Sequence, residues 1–534
     1  MADGRGWFER EVSAGVTSRH YDVVVLGRSL GALTAAALLA RRDFRVLLLG
    51  QGQRPPSYRF EQRLFKRHAF TLLAATSPAW RRVLQELAQS PRFRRRAQPL
   101  DPMFSVLSPG RRLEVPPDME LFGREVEREF PEVRQLVDEL YSNFSLVNAA
   151  ADAAFERDLV WPPGTFWERL ETRRAVVTLP FVGRDGHQDL LGKFPPGHAC
   201  RDLVTVAAVF ATHLAVPGHQ LPAFALARLH GAWTRGVYEL AGGEDELEEF
   251  LIERVAAHGG VCRLERRATE IVIRHGAIAG IVEDGEEEPT GASAVVSDQP
   301  GELLAELSGG QGISKSARHD WPRVTAAAGR FVVSLNVRTA VLPDPLGSES
   351  FLIPAPVGHH DPRRPAVHLQ RLGAARSEGT PHETLLVAET ILPTRGPLTV
   401  LEAREAVLAT LRQHLPFLDQ HLMAVDSPHD GLPLCVYEHG ERREIDRIHV
   451  GESAAGAEPM QWQWSVDPPG FVDLGGEPVR GPIPGSYLVG RTVLPALGQE
   501  GELIAAWGAA RIITRRDRTR QRVRQLMWTK IETG

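Results

Sequence analysis

The chain has 534 residues, and its 62 Lys and Arg against 67 Asp and Glu give a formal net charge of −5. That near balance excludes the strongly basic character of a nucleic-acid-binding protein, and 43% hydrophobic with 24% charged residues excludes a disordered or collagen-like chain. The three cysteines, Cys200, Cys262 and Cys435, stand far apart, which speaks for a reducing compartment and against a Cys-based zinc site.

Residues 1–19 are polar and charged without an apolar core, so they read as a loose arm rather than a secretory signal. The longest apolar stretch, 21–49, is broken by Arg28, Arg41, Arg42 and Asp43, too short a run to cross a bilayer. A cytoplasmic protein is expected. Next, residues 22–27, DVVVLG, form a β-branched run of the kind that makes a buried parallel strand. LTAAALLARR follows as a helix of small residues, and RVLLLG at 45–50 as a second buried strand. Strand, glycine turn, helix and strand within about thirty residues make the unit that places a dinucleotide pyrophosphate on a helix N-terminus.

The turn Gly27-Arg28-Ser29-Leu30-Gly31-Ala32 keeps the first glycine of G-x-G-x-x-G and replaces the second by Ser29 and the third by Ala32. The acid expected after the second strand to hold the ribose is replaced by Gly50, with Gln51 and Gln53 as the nearby hydrogen-bonding side chains and Arg54 as the nearest basic candidate for a phosphate. The same turn matches the G-x-S-x-G nucleophile elbow literally, but it follows the first strand of the chain, where a hydrolase elbow does not belong. The nineteen histidines include no H-E-x-x-H, and the adjacent His359 and His360 would point opposite ways on a strand, so no metal site is expected.

From 240 the chain reads as a Gly242-Gly243 turn, then a helix in which Glu248, Glu249, Glu253 and Arg254 interleave with Leu247, Phe250, Leu251 and Val255. A hairpin turning at His275-Gly276 and an A-x-x-V-V-S strand, 292–297, come next. FVVSLNV at 331–337 alternates like a half-buried strand. Near the end, SYLVGRTVLPALGQEGELIAAWGAARII gives a strand, a Pro/Gly loop and a helix.

These segments, in this order, resemble the flavin-dependent phytoene desaturase and amine oxidase superfamily. The shared features are the LTAAALLAR helix, Gly242-Gly243 to Leu247, Ala292 to Ser297, and Gly490, Pro495, Gly498 and Gly501. The resemblance implies an α/β fold with a Rossmann-like FAD-binding domain, built from discontinuous segments at 20–60, 236–310 and 480–534. An inserted α+β substrate domain would comprise 61–235 and 311–479. It implies that Gly27, Arg28, Ser29, Gly31 and Ala32 face the pyrophosphate, that Ala268 meets the adenine through its backbone, and that Gly490, Arg491 and Thr492 with Gly501 and Glu502 lie at the ribityl and isoalloxazine end. Ser29, Gly50 and Arg491 depart from the pattern and weaken the expected FAD site. On this reading Gly50→Glu would restore the ribose contact without harm to the fold.

Two functions follow. One is an FAD-dependent oxidoreductase taking a hydride from a saturated carbon of an apolar, isoprenoid- or carotenoid-like substrate, where the flavin carries the electrons and no catalytic side chain is named. The other is a degenerate, non-catalytic binding or partner protein beside an active paralogue. Arginines and apolar residues interleave at 59–96, from Arg59 and Phe60 to Arg96, and suit either a solvated face or peripheral contact with the inner membrane face. The tail from Arg511 to Lys530 is similarly basic and reads as a solvated terminal helix. Trp161, Trp167, Trp462 and Trp464 suit the lining of an apolar tunnel, but the core is the more ordinary place for them and is expected.

Overall fold

A computed structural model describes residues 20–182, 186, 188–216, 220–343, 346–354, 361, 363–372, 382–438, 441–450, 456–468 and 470–517. The polar arm, His359, His360 and the tail beyond 517 lie outside the described residues. Five parallel strands form the sheet that organises the N-terminal unit, in the order Val261–Arg263, Val46–Leu49, Val23–Leu26, Val295–Ser297, Ser486–Leu488. Its three inner strands are buried along their whole length, and this is why they read as unbroken apolar runs rather than alternating ones. The helices Leu30–Arg41 and Gly498–Arg516 lie against each other, with Ala35, Ala36, Ala505, Ala506 and Ala509 fully buried.

A smaller sheet carries the expected hairpin, Ala268–Arg274 against Ala277–Glu283. His275 and Gly276 both adopt positive φ, 53° and 74°, as a two-residue type I′ turn requires. The expected A-x-x-V-V-S strand is divided: Ala292 ends Thr290–Ala292 in this small sheet, and Val295–Ser297 enters the parallel one.

The third layer is a ten-stranded sheet. Its central strand, Arg323–Arg338, pairs with Glu383–Pro393 on one side and with Leu422–Asp426 and Gln461–Asp467 on the other. Residues 331–337 are therefore buried on both faces, not half-buried as their alternation suggested. Phe331, Val333, Leu335 and Val337 share a core with Ala403, Val407 and Leu411 of the helix Val400–His414. On the other face Val332 meets Leu64 and Ala69, and Ser334 accepts a hydrogen bond from the Lys66 N–H at 2.9 Å. The short hairpin Ser57–Phe60 and Arg63–Lys66 covers that face.

The basic stretch 59–96 is partly interior, with Arg59, Arg92, Arg94 and Arg95 exposed. Phe65, Leu72, Leu73 and Trp80 are core residues, Arg67 pairs with Glu458 at 2.6 Å, and the guanidinium of Arg82 lies 4.0 Å from the centre of the Trp507 ring. Trp161 is core, but Trp167 is 71% exposed, against expectation. No helix among the described residues is long and apolar enough to cross a membrane.

Candidate functional site

The strand Val23–Leu26 delivers Gly27, at φ 122°, to the N-terminus of Leu30–Arg41. In a parallel sheet this is the mouth where ligands bind, beyond the carboxyl ends of the strands. Here the mouth is taken by the chain's own groups. Asp298, the residue directly after Val295–Ser297, accepts from the Ser29 N–H at 2.9 Å and from the Gln53 and Gln299 side-chain amides, both at 2.9 Å. Its carboxyl group lies so close over Gly27 that a Cβ added there would stand 2.1 Å from it. Burial pushes the Asp298 carboxyl above its ordinary range, opposed by these hydrogen bonds. The Arg28 N–H donates to Gln53 Oε1 at 2.9 Å, and the Arg28 side chain turns to an ion pair with Glu248.

The Ser29 hydroxyl caps the helix, accepting from the Ala32 N–H at 3.2 Å, so the residue of the literal G-x-S-x-G match has a structural task. Gly31 donates its N–H to Glu502 Oε2 at 3.2 Å. Two carboxylates thus occupy the partial positive charge of the helix end, the place a phosphate would take.

The residues expected to meet adenosine are engaged as well. Gln51 donates to the Ala268 carbonyl and accepts from its N–H, both at 2.9 Å, which uses the two backbone groups expected to meet adenine. A Cβ on Gly50 would stand 1.9 Å from the Leu264 carbonyl oxygen, so an acid cannot be placed there and the expected benefit of Gly50→Glu is overturned. Arg54 pairs with Glu458 at 3.7 Å rather than facing the helix end.

Among the residues expected at the isoalloxazine end, Gly490 packs on the Asp298 carbonyl, Thr492 is buried with its carbonyl accepting from the Glu477 N–H at 2.8 Å, and Gly501 lies in the first turn of Gly498–Arg516. Glu502 accepts from His213 Nε2 at 3.0 Å and faces Arg491 at 3.6 Å. Burial lowers His213 to about 4 against the pull of Glu502, and keeps it neutral. Burial tends to raise Glu502, but His213 and Arg491 outweigh it and hold the carboxyl low. Arg491, His213, Arg330, His368, Glu389 and Glu502 surround a cavity of about 60 Å³ between the parallel sheet and the ten-stranded one. Arg330 pairs with Glu389 at 2.9 Å, and His368 with Glu349 at 2.7 Å.

The sequence model of an NAD(P)-binding Rossmann-like domain matches residues 25–87. An oxidoreductase from Methanosarcina mazei superposes with a TM-score of 0.51 at 15% identity, over 92% of this chain and 99% of its own. A Pyrococcus furiosus protein gives 0.52 at 14%, over 92% and 97%. A putrescine oxidase with redesigned cofactor binding gives 0.53 at 13%, over 93% and 99%. The chain shares its fold with these proteins over nearly its whole length. At these identities the likeness is one of fold, and no curated protein matches the sequence.

At the carboxyl ends of the parallel strands, the residues present do not fit FAD. A phosphate charge held ~4 Å from the Asp298 or Glu502 carboxylate would cost about 4 kcal/mol at an effective dielectric of ~20. The cavity between Arg491, His213 and Glu502 holds about 60 Å³, whereas one of about 430 Å³, within the roughly 300–1,000 Å³ of small-ligand sites, lies apart from it among Leu214, Leu221, Leu226 and Trp464. Asp298 is the residue that reading the sequence missed. Its signal was its place: an acid immediately after Val296-Ser297, at the carboxyl end of a parallel strand.

Proposed function

We propose that this chain keeps the amine-oxidase-type flavoprotein fold but works without FAD, as a binding or partner protein beside an active paralogue. The observation that carries this reading is the Asp298 carboxyl on the Ser29 N–H, packed over Gly27. Gln51 on Ala268 and Glu502 on Gly31 support it from either side, because each satisfies a backbone group that a bound dinucleotide would use. Satisfied groups offer a ligand no gain, and displacing Asp298 would leave its carboxylate to find new partners.

The second reading is an FAD-dependent oxidoreductase of the desaturase type, favoured by the fold and by the retained Gly27-to-Ala32 turn on a helix N-terminus. Its cavity is lined by Leu30, Phe70, Leu73 and Phe210 on one part and by charged or titratable groups such as Arg330, Glu389, Arg491 and Glu502 on another, and the latter would lose hydration to an apolar ligand without compensation. One experiment separates the two. The full chain, purified without added cofactor and then incubated with FAD and desalted, is expected to show no flavin absorbance and no flavin in the supernatant after heat denaturation. A stoichiometric flavin spectrum from either sample would overturn the first reading and establish the second.

A further inference from the structure

The helix Phe166–Val177 is oriented opposite to an ordinary surface helix. Its buried residues are Glu168, Thr172 and Ala175, whereas Phe166, Trp167, Leu170 and Val177 are 72%, 71%, 50% and 77% exposed. At 100° per residue these four project from one side, together with the exposed Arg173 and Arg174, and Arg169 stands at its edge. Charged contacts hold the helix this way round. Glu168 closes the capping box with Thr165 and receives both ends of the Arg480 guanidinium, at 2.7 and 2.6 Å. Glu171 pairs with Arg511 at 3.2 Å and Arg515 at 3.5 Å. Rotating the apolar side inward would break these pairs.

We propose that this face of Phe166–Val177 docks on an anionic lipid surface. The chemistry of the face selects that occupant. Phe and Trp flanked by arginines suit the boundary between headgroups and acyl chains, where the rings enter and the guanidinium groups meet phosphate. The one acid on this side of the helix, Glu171, is already neutralised by two arginines. Four apolar side chains on twelve residues are few for a stable protein interface, which takes about 800 Å² from each partner. The chain's own terminal segment is the other candidate, since it follows shortly after Arg515, which pairs with Glu171. It carries Arg518, Arg520, Arg522, Arg524 and Lys530 beside Leu526, Met527 and Trp528, and its like charge disfavours it on this face.

The test is co-sedimentation of the full chain with vesicles of phosphatidylcholine containing about a third phosphatidylglycerol, and with phosphatidylcholine alone. Binding is expected to the anionic vesicles only, and to weaken at high salt as screening shortens the reach of the arginines. The double variant Phe166→Ser, Trp167→Ser should lose at least tenfold in vesicle affinity with its melting temperature unchanged, since both rings stand in solvent. Arg173→Glu, Arg174→Glu should lose the preference for phosphatidylglycerol. Wild-type chain that stays in the supernatant, or a folded double variant that sediments as well as wild type, would overturn the proposal. So would a wild-type dimer in gel filtration that the double variant abolishes, because the face would then belong to a second copy.

Discussion

Gly50→Glu is expected to destabilise the protein by roughly 3–5 kcal/mol, the range of severe core substitutions, and Gly50→Ala by nearly as much. The reason lies at the Cβ, not in the carboxylate. Any side chain at position 50 puts its first carbon 1.9 Å from the Leu264 oxygen and 2.7 Å from the Leu264 carbonyl carbon, both of them backbone atoms. Neither can yield without parting the strands Val46–Leu49 and Val261–Arg263, which pair from Leu47↔Val261 to Leu49↔Arg263. Urea unfolding of the three proteins measures it. If the mouth of the sheet were instead open as in a working dinucleotide site, the Glu variant would unfold at the wild-type urea concentration and bind FAD more tightly, while Ala would be neutral. Equal losses for Ala and Glu locate the fault in the backbone.

The contrast between what the sequence showed and what it hid has a physical basis. Buried parallel strands announce themselves, because every residue of Val23–Leu26 and Val46–Leu49 must be apolar, and the paired positive-φ residues His275 and Gly276 mark their turn. The A-x-x-V-V-S stretch was recognisable, but its division between two sheets was not, since both halves are apolar and only the partners differ. Residues 331–337 alternated convincingly, yet the polar positions Ser334 and Asn336 are buried because Lys66 and Leu64 of a distant hairpin meet them. The candidate site was the least legible part. Departures at Ser29 and Gly50 were visible as missing contacts, but what replaces them comes from sequence separations of 245 residues for Gln53 with Asp298 and 217 for Gln51 with Ala268. No local pattern encodes such pairs.

Replacing His368 by Gln should produce the second large effect, and a pH dependence that identifies its source. Burial by itself would lower this imidazole, but hydrogen bonds to Glu349 and Glu389 outweigh it and push the group up to about 9. The ring sits among Phe210, Trp233 and Phe351, the last stacked at 5.1 Å, which further suits a cation. A rise from the ordinary 6.5 to about 9 corresponds to about 3 kcal/mol of stability. Because the folded value is raised, that contribution is fully present below about pH 6.5 and is lost as pH climbs through 9. The variant leaves Glu349 buried with Thr71 and Gln370 as neutral partners, at 2.8 and 3.0 Å, and removes a cation beside Glu389, which keeps Arg330. Uncompensated buried charge of this kind costs roughly 3–5 kcal/mol. Urea unfolding of both proteins at pH 6 and pH 9.5 should therefore show a wide gap that narrows at the higher pH, where the wild-type imidazole is itself neutral. Parallel pH profiles for the two proteins would mean that His368 is neutral in the folded state.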